Sequence, residues 1–567
     1  MPTASHSFLE VFAAHGIDRA FLVPGESYLG LLDALNEVPA IEAVTCRHEA
    51  GAGFMACADA RLTGRPALVM VSRGPGASNA AIALHTAQQD AVPLVLVIGQ
   101  VPKDHVGREA FQEIDYPRMF GGIAKWVGSA HAPEQLPELA FKALRMSTSG
   151  TPGPVVLVVP EDVQDQALPA QDWRAHPPAP TQPAPQVVRE LADMLRAAQR
   201  PLIVAGSSFE NEPGRAALLR LAESWQVPVV VSFRRHDIFP NAHPLYAGDL
   251  GLANDREQME AFHSSDLILA LGTRMGDITS QGYTFPAMPQ PAQAVVHCHA
   301  DAHQVGLNFA PRIGIVCDPT ALAQALADEA LPHTSNASNA SNASNASNAS
   351  NTSNTSNTSN AWRERLRAIE RRISAWPAPS DGVDVVRALA RQREGSTLVC
   401  LDAGTFAAPV YRHFNFRPGE RMLAPIAGAM GYGTPAAVAA AMRRPDAKVV
   451  CLVGDGGFMM TGNEMIAAVE RRLPILFIVV DNCAYGSIWL HQDRHYPGRH
   501  VGTTLASPDF ARIAAAFGMP SETVERADDV DAAVARGLRS ATPYFLHVKT
   551  RLPASRATQD PQASREA

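Results

Sequence analysis

Residues 449–487, VVCLVGDGGFMMTGNEMIAAVERRLPILFIVVDNCAYGS, constrain the fold more than any other stretch of the chain. The apolar run 449–453 suits a buried parallel strand. Gly454, Asp455, Gly456 and Gly457 then let the backbone turn sharply and approach a ligand closely. An amphipathic segment runs to about Arg472, Pro474 stops it, and 475–480 make a second strand ending on Asp481 and Asn482. In a parallel sheet both strand ends lie on one edge, so Asp455 and Asn482, 27 positions apart, meet there. Both are hard oxygen donors beside a helix start, a combination suited to Mg²⁺ holding a diphosphate. An ordinary βαβ unit whose Asp caps a helix offers the same pattern without the chemistry.

A chain of 567 residues exceeds a single core, so about three domains are expected. Hydrophobic content of 46% with 18% charged residues describes a globular protein, and a net charge of −8 argues against nucleic acid as a partner. The seven cysteines form no C-x-x-C pair, which points to reduced thiols rather than disulfides or zinc. The start, MPTASHSFLE, lacks the basic and apolar regions of a signal peptide, and no apolar run is long enough to span a membrane. A cytoplasmic enzyme without membrane contact is the expectation.

Strand patterns at 19–23, 41–44, 67–71 and 93–98 alternate with helical ones, which implies a doubly wound parallel sheet over 1–168. A Pro-rich linker to about residue 185 leads into a second α/β segment, 186–331, with strands at 201–205, 227–232, 267–272 and 294–299. Residues 335–361 are nine Ser-Asn-Ala or Ser-Asn-Thr triplets, too polar to build a core and expected to be a disordered linker. The third segment, 362–553, carries the motif above, and 554–567 reads as a frayed tail. The expected fold is therefore α/β, with three doubly wound parallel-sheet domains.

A second constellation lies early in the chain. Glu49 follows a strand and opens a small-residue helix in RHEAGAGFMACADARLTGRP, and the next strand ends in SRGPGASN. Taken alone, Glu49 is equally readable as a helix N-terminal charge. Together with the G-D-G…Asn pattern, these motifs resemble thiamine-diphosphate enzymes, specifically acetohydroxyacid (acetolactate) synthase and its relatives. The resemblance continues through PLVLVIGQVP, AFQE at 110–113, LALGTRMGD and GAMGYGTPAA at 428–437. It implies pyrimidine-binding, central and diphosphate-binding domains, with thiamine diphosphate and Mg²⁺ as cofactors.

By that resemblance Asp455, Asn482 and the carbonyl of Ala484 hold the metal, and Glu49 activates the cofactor. Gly454, Gly456, Gly457, Tyr485 and Gly486 line it, Gly428 offers a carbonyl to its aminopyrimidine, and Met430 wedges it into a bent form. Phe111 and Gln112 face the reacting centre, Gln112 as a catalytic candidate. Lys125 and Arg274 match positive positions near the substrate entrance, although either suits a solvated surface. The implied reaction is decarboxylation of a 2-ketoacid followed by addition to a second carbonyl compound. Simple decarboxylation with aldehyde release is the alternative, and a non-catalytic paralogue acting as a partner is a third. The resemblance also implies a homodimer or homotetramer with sites built between chains.

Four departures leave the substrate open. His491 stands where the synthases carry a Trp that helps select the acceptor, with Trp489 nearby, and serves either as pocket wall or in acid–base chemistry. Glu26 replaces a small residue, as a helix cap or facing the ligand. Gly206-Ser207-Ser208 and YAGDLGLA replace the flavin-associated motifs of the synthases and weigh against bound FAD. Asp481 replaces the first Asn of the usual pair, which is expected to change only the bonding around the metal ligands.

Overall fold

Three six-stranded sheets, parallel at every pairing, make up the computed structural model, which describes residues 1–330, 349–378 and 382–552. The first comprises β1 (Arg19–Leu22), β2 (Glu42–Thr45), β3 (Ala67–Val71), β4 (Leu94–Gln100), β5 (Trp126–Ser129) and β6 (Pro154–Pro160), in spatial order β2-β1-β3-β4-β6-β5. The second comprises β7 (Pro201–Ala205), β8 (Val229–Val231), β9 (Tyr246–Asp249), β10 (Leu267–Leu271), β11 (Ala294–His299) and β12 (Ile313–Val316). Its order is β12-β11-β10-β7-β8-β9. The third comprises β13 (Thr397–Leu401), β14 (Arg421–Leu423), β15 (Lys448–Gly454), β16 (Ile475–Asp481), β17 (Ser521–Val524) and β18 (Tyr544–Lys549). Its order, β14-β13-β15-β16-β18-β17, repeats that of the first. Helices cover both faces of such sheets, which is why β3, β4 and β16 are buried along their whole length and apolar up to Gln100 and Asp481 at the ends of β4 and β16.

The chain divides into two compact units. One contains the first and third sheets (Met1–His176, Pro377–Phe414 and Arg421–Ala567), and the other the second sheet (Pro177–Trp376 and Asn415–Glu420). Within the first unit, the helices Glu49–Thr63 and Gly433–Arg443 share one core through runs of Ala and Gly that let their backbones approach closely. Arg443, at the end of the latter, donates to both carboxylate oxygens of Asp18 (2.7 and 2.7 Å) and of Asp59 (2.8 and 3.0 Å).

In the second unit the helix Ala349–Ser374 sets Trp362, Leu366 and Ile369 into the core beside β7 and β10. Trp362 Nε1 donates to the Pro201 carbonyl at 2.9 Å. Residues 362–374 thus pack with the second sheet, and the elements of the third segment start at the helix Val383–Gln392. The expected start at 362 differs because an apolar helical stripe belongs to whichever core receives it. Of the triplet repeat, 349–361 open this helix, while 335–348 and the tail 554–567 lie outside the described residues. Among the described residues no helix is long and apolar enough to cross a membrane.

Candidate active site

In the third sheet the strand order reverses between β13 and β15, and ligands of open α/β sheets bind where the carboxyl ends part at such a point. Asp402 follows β13 there, and Gly454 ends β15, with Asp455, Gly456 and Gly457 after it. Asp455 is the first residue of the helix Asp455–Thr461 and is buried. Asn482 and Ala484 follow the adjoining β16. The Ala484 N–H donates to both Asp455 Oδ2 and Asn482 Oδ1, each at 3.1 Å, so the two side-chain oxygens converge on one amide. Gly456 lies flat under Tyr485, because a Cβ at that position would come within 2.5 Å of the Tyr485 ring.

Two acidic side chains meet at this edge, Asp455 and Asp481. Burial pushes the Asp455 carboxyl up, and the neighbouring Asp481 carboxylate raises it further. Burial opposes the ionisation of Asp481 too, but bonds from His547 Nε2 (2.9 Å), Ser507 Oγ (2.7 Å) and the Cys483 N–H (3.0 Å) outweigh it and hold that carboxyl low. The single Ser507 hydroxyl faces oxygens of both Asp481 and Asp455, the latter at 3.2 Å. Two carboxylates therefore share one hydroxyl proton. Asp455, Asn482 Oδ1 and the Ala484 carbonyl are an all-oxygen donor set, so the residues present fit a hard divalent cation such as Mg²⁺.

Asp402 organises the opposite wall. Its carboxylate accepts from the Gly431 N–H (2.8 and 3.0 Å) and lies 3.4 Å from the Gly433 nitrogen. A Cβ on Gly457 would come within 2.9 Å of the same carboxylate. Thr461 Oγ1 donates to the Gly431 carbonyl. Asp402 and Thr461 thus fix the turn carrying exposed Gly428 (φ +68°) and half-buried Met430 next to the glycine turn after β15.

Glu49 opens the helix Glu49–Thr63 after β2, at the carboxyl edge of the first sheet. Asn79 Nδ2 donates to its Oε2 at 2.9 Å, and a Cβ on Gly76 would sit 3.3 Å from its Oε1. The loop bearing Phe111 and Gln112 reaches the same edge. Gln112 adopts φ +64°, its carbonyl accepts from the Gly74 N–H at 2.9 Å, and the Phe111 side chain is exposed.

The remaining candidates are placed differently. Lys125 precedes β5, at the amino-terminal edge of the sheet, away from the edge that holds Glu49; its Nζ donates to the Ser149 and Thr151 carbonyls. Arg274 follows β10 in the second unit, near the point where the turns at Gly206 and Gly272 pack against each other. His491 is exposed on the helix Gly486–His495, while Trp489 stacks on His500 at 4.3 Å. Glu26 begins a short 3₁₀ turn without a side-chain cap bond.

Sequence reasoning missed Asp402, Thr461, Asn79, Ser507 and His547. A His inside the apolar run of β18 was the one available signal for the last.

Comparison with known proteins identifies the family. Residues 2–119, 188–326 and 402–548 match the N-terminal TPP binding, central and C-terminal TPP binding domain models of the thiamine pyrophosphate enzymes. The chain is 30% identical over 561 residues to the acetolactate synthase isozyme 1 large subunit of Escherichia coli K12, covering 96% of this chain and 94% of that one. It is 27% identical to a probable acetolactate synthase large subunit of Methanocaldococcus jannaschii, covering 96% and 91%. In fold it resembles a thiamine diphosphate-dependent 4-hydroxybenzoylformate decarboxylase of Rhodococcus jostii RHA1, with a TM-score of 0.80 at 21% identity over 97% and 100% of the two chains. The chain belongs to the thiamine pyrophosphate enzymes, and within them it is acetolactate synthase-like.

Proposed function

We propose that this enzyme is a Mg²⁺-dependent 2-ketoacid carboligase that works as a homodimer or homotetramer, each site built between two chains. The observation that carries the reading is the convergence of Asp455 and Asn482 on the Ala484 amide at the carboxyl ends of β15 and β16, next to the switch point of the third sheet. Likeness to acetolactate synthases over nearly the whole chain supports carboligation in particular.

Asp455, Asn482 and the Ala484 carbonyl would hold Mg²⁺, and the glycines of the Gly454–Gly457 turn would let the backbone approach a diphosphate. Thiamine diphosphate, when bound, would supply the carbanion and the electron sink that decarboxylation of a 2-ketoacid requires. Glu49 holds a proton at the aminopyrimidine ring, oriented by Asn79. Met430, on the turn that Asp402 fixes through the Gly431 N–H, would brace the cofactor. Gln112, on a backbone pinned to Gly74, orients the second carbonyl compound, and Phe111 excludes water beside it.

Incubation of the purified protein with thiamine diphosphate, Mg²⁺ and pyruvate, followed by product analysis, tests the proposal. Acetolactate is the expected product. Acetaldehyde alone would establish the second reading, a decarboxylase, which the exposed polar His491 at the acceptor-selecting position favours. Absence of cofactor binding in calorimetry would overturn both and leave a non-catalytic paralogue.

A further inference from the structure

Glu464 stands eight residues beyond Gly456, in the turn after the helix Asp455–Thr461, and its side chain is completely buried. It does not face the metal edge. Its Oε1 accepts from the backbone N–H groups of Arg47 and His48, both at 2.9 Å. These are the two residues immediately before Glu49. A Cβ on Gly51 would come within 2.4 Å of the same oxygen, so the helix opened by Glu49 has a glycine where the carboxylate must fit. Glu464 Oε2 is buried and has no hydrogen-bond partner.

We propose that Glu464 is a positioning residue for Glu49: from the third segment it clamps the turn that delivers the activating carboxylate. The inference rests on the reading of Glu49 as the group that activates the cofactor. The physical argument is one of cost. A buried carboxylate with one oxygen unsatisfied is destabilising, and an apolar side chain of similar size would pack there more cheaply. What the carboxylate does supply is a strong acceptor for two amides that precede a helix and would otherwise lack partners. With Arg47 and His48 pinned, the direction in which Glu49 leaves the backbone is set before any ligand arrives.

Burial raises the Glu464 carboxyl to about 7, against which the bonds from the Arg47 and His48 amides and the Arg47 charge act. The other titratable groups around it are the Cys46 thiol, pushed up by burial and then by the Glu464 charge, and the His48 ring, which accepts from the Ala50 N–H. Arg47 is itself paired with Glu470. The clamp is thus strongest above neutral pH, where Glu464 is an anion, and loosens as it protonates.

Two measurements on the full-length protein test the proposal. The first is amide hydrogen exchange of peptides spanning residues 42–50 without cofactor, in wild type, Glu464→Gln and Glu464→Asp. Gln removes the charge without changing the shape, and Asp keeps the charge but withdraws it by one methylene. Both should speed exchange at Arg47 and His48 by about tenfold, the effect of weakening a charge-assisted bond. The second is the pH profile of turnover with thiamine diphosphate and Mg²⁺. Wild type should lose kcat on the acid side of pH 7, whereas Glu464→Gln should show a lower kcat with that limb removed and a KM within a factor of three.

Unchanged exchange in both variants would overturn the proposal, as would a lowered kcat that keeps the wild-type limb. If the wild-type protein turns over no ketoacid, the functional reading fails, yet the exchange experiment still decides whether Glu464 holds the turn.

Discussion

Glu49 and Asp455 are both carboxylates beside glycine turns, yet their surroundings give them different tasks. Glu49 is half-buried and accepts one side-chain bond among the described residues, from Asn79, so in the proposed mechanism its other oxygen meets a ring nitrogen. Glu49→Gln should therefore keep thiamine diphosphate affinity within a few-fold and lose about 10²–10⁴ in kcat, the usual worth of a positioned acid–base group. Titration calorimetry and initial rates check this together, and near-normal turnover would remove Glu49 from the mechanism. Asp455 is buried beside Asp481, and burial together with that carboxylate raises its carboxyl. Asp455→Ala should abolish Mg²⁺-dependent cofactor binding. An affinity equal with and without Mg²⁺ in wild type, or unaltered in the variant, would contradict the metal site.

At the scale of elements, the βαβ unit from β15 to β16 was legible because everything that defines it is local. A buried strand, a glycine turn and a second strand place Asp455 and Asn482 on one edge whatever the rest of the chain does. The helix Ala349–Ser374 was not legible in this way. Its first part, 349–361, reads as linker, and nothing local says which core receives Trp362, Leu366 and Ile369, which the structure gives to the second sheet. Trp362→Ala should destabilise that unit by about 3–5 kcal/mol through the cavity, together with the lost bond to the Pro201 carbonyl. Denaturant unfolding, read by fluorescence, is the check. A change under about 1 kcal/mol would mean that the helix is only loosely applied.

For the whole molecule, pH dependence exposes the compromise made at Glu464. Its folded-state value, about 7, lies above its ordinary value near 4.5, so between these limits the native state binds a proton that the unfolded chain has released. Stability from this group is complete below about 4.5 and is lost as pH rises through 7. Glu464→Gln removes the titration, so the variant should gain on wild type between pH 5 and pH 8, by up to about 3 kcal/mol at 1.36 kcal/mol per unit. Paired denaturation curves at the two pH values measure it. A difference that stays constant, or grows in the opposite direction, would show that the buried carboxylate is not strained. A gain in stability accompanied by a loss in turnover is what a residue retained for function predicts.

The sequence by itself determined the α/β class, the parallel strands and the edge on which Asp455, Asn482 and Glu49 each sit, because hydrophobic periodicity and glycine turns act within a few residues of one another. Only the tertiary structure decided which groups hold them: Asp402 for the turn of Met430, Ser507 and His547 for Asp481, and Glu464 for the turn before Glu49. These partners lie tens to hundreds of positions from what they support. A buried hydrogen bond is chosen by proximity in space, and a single sequence carries no local mark of it.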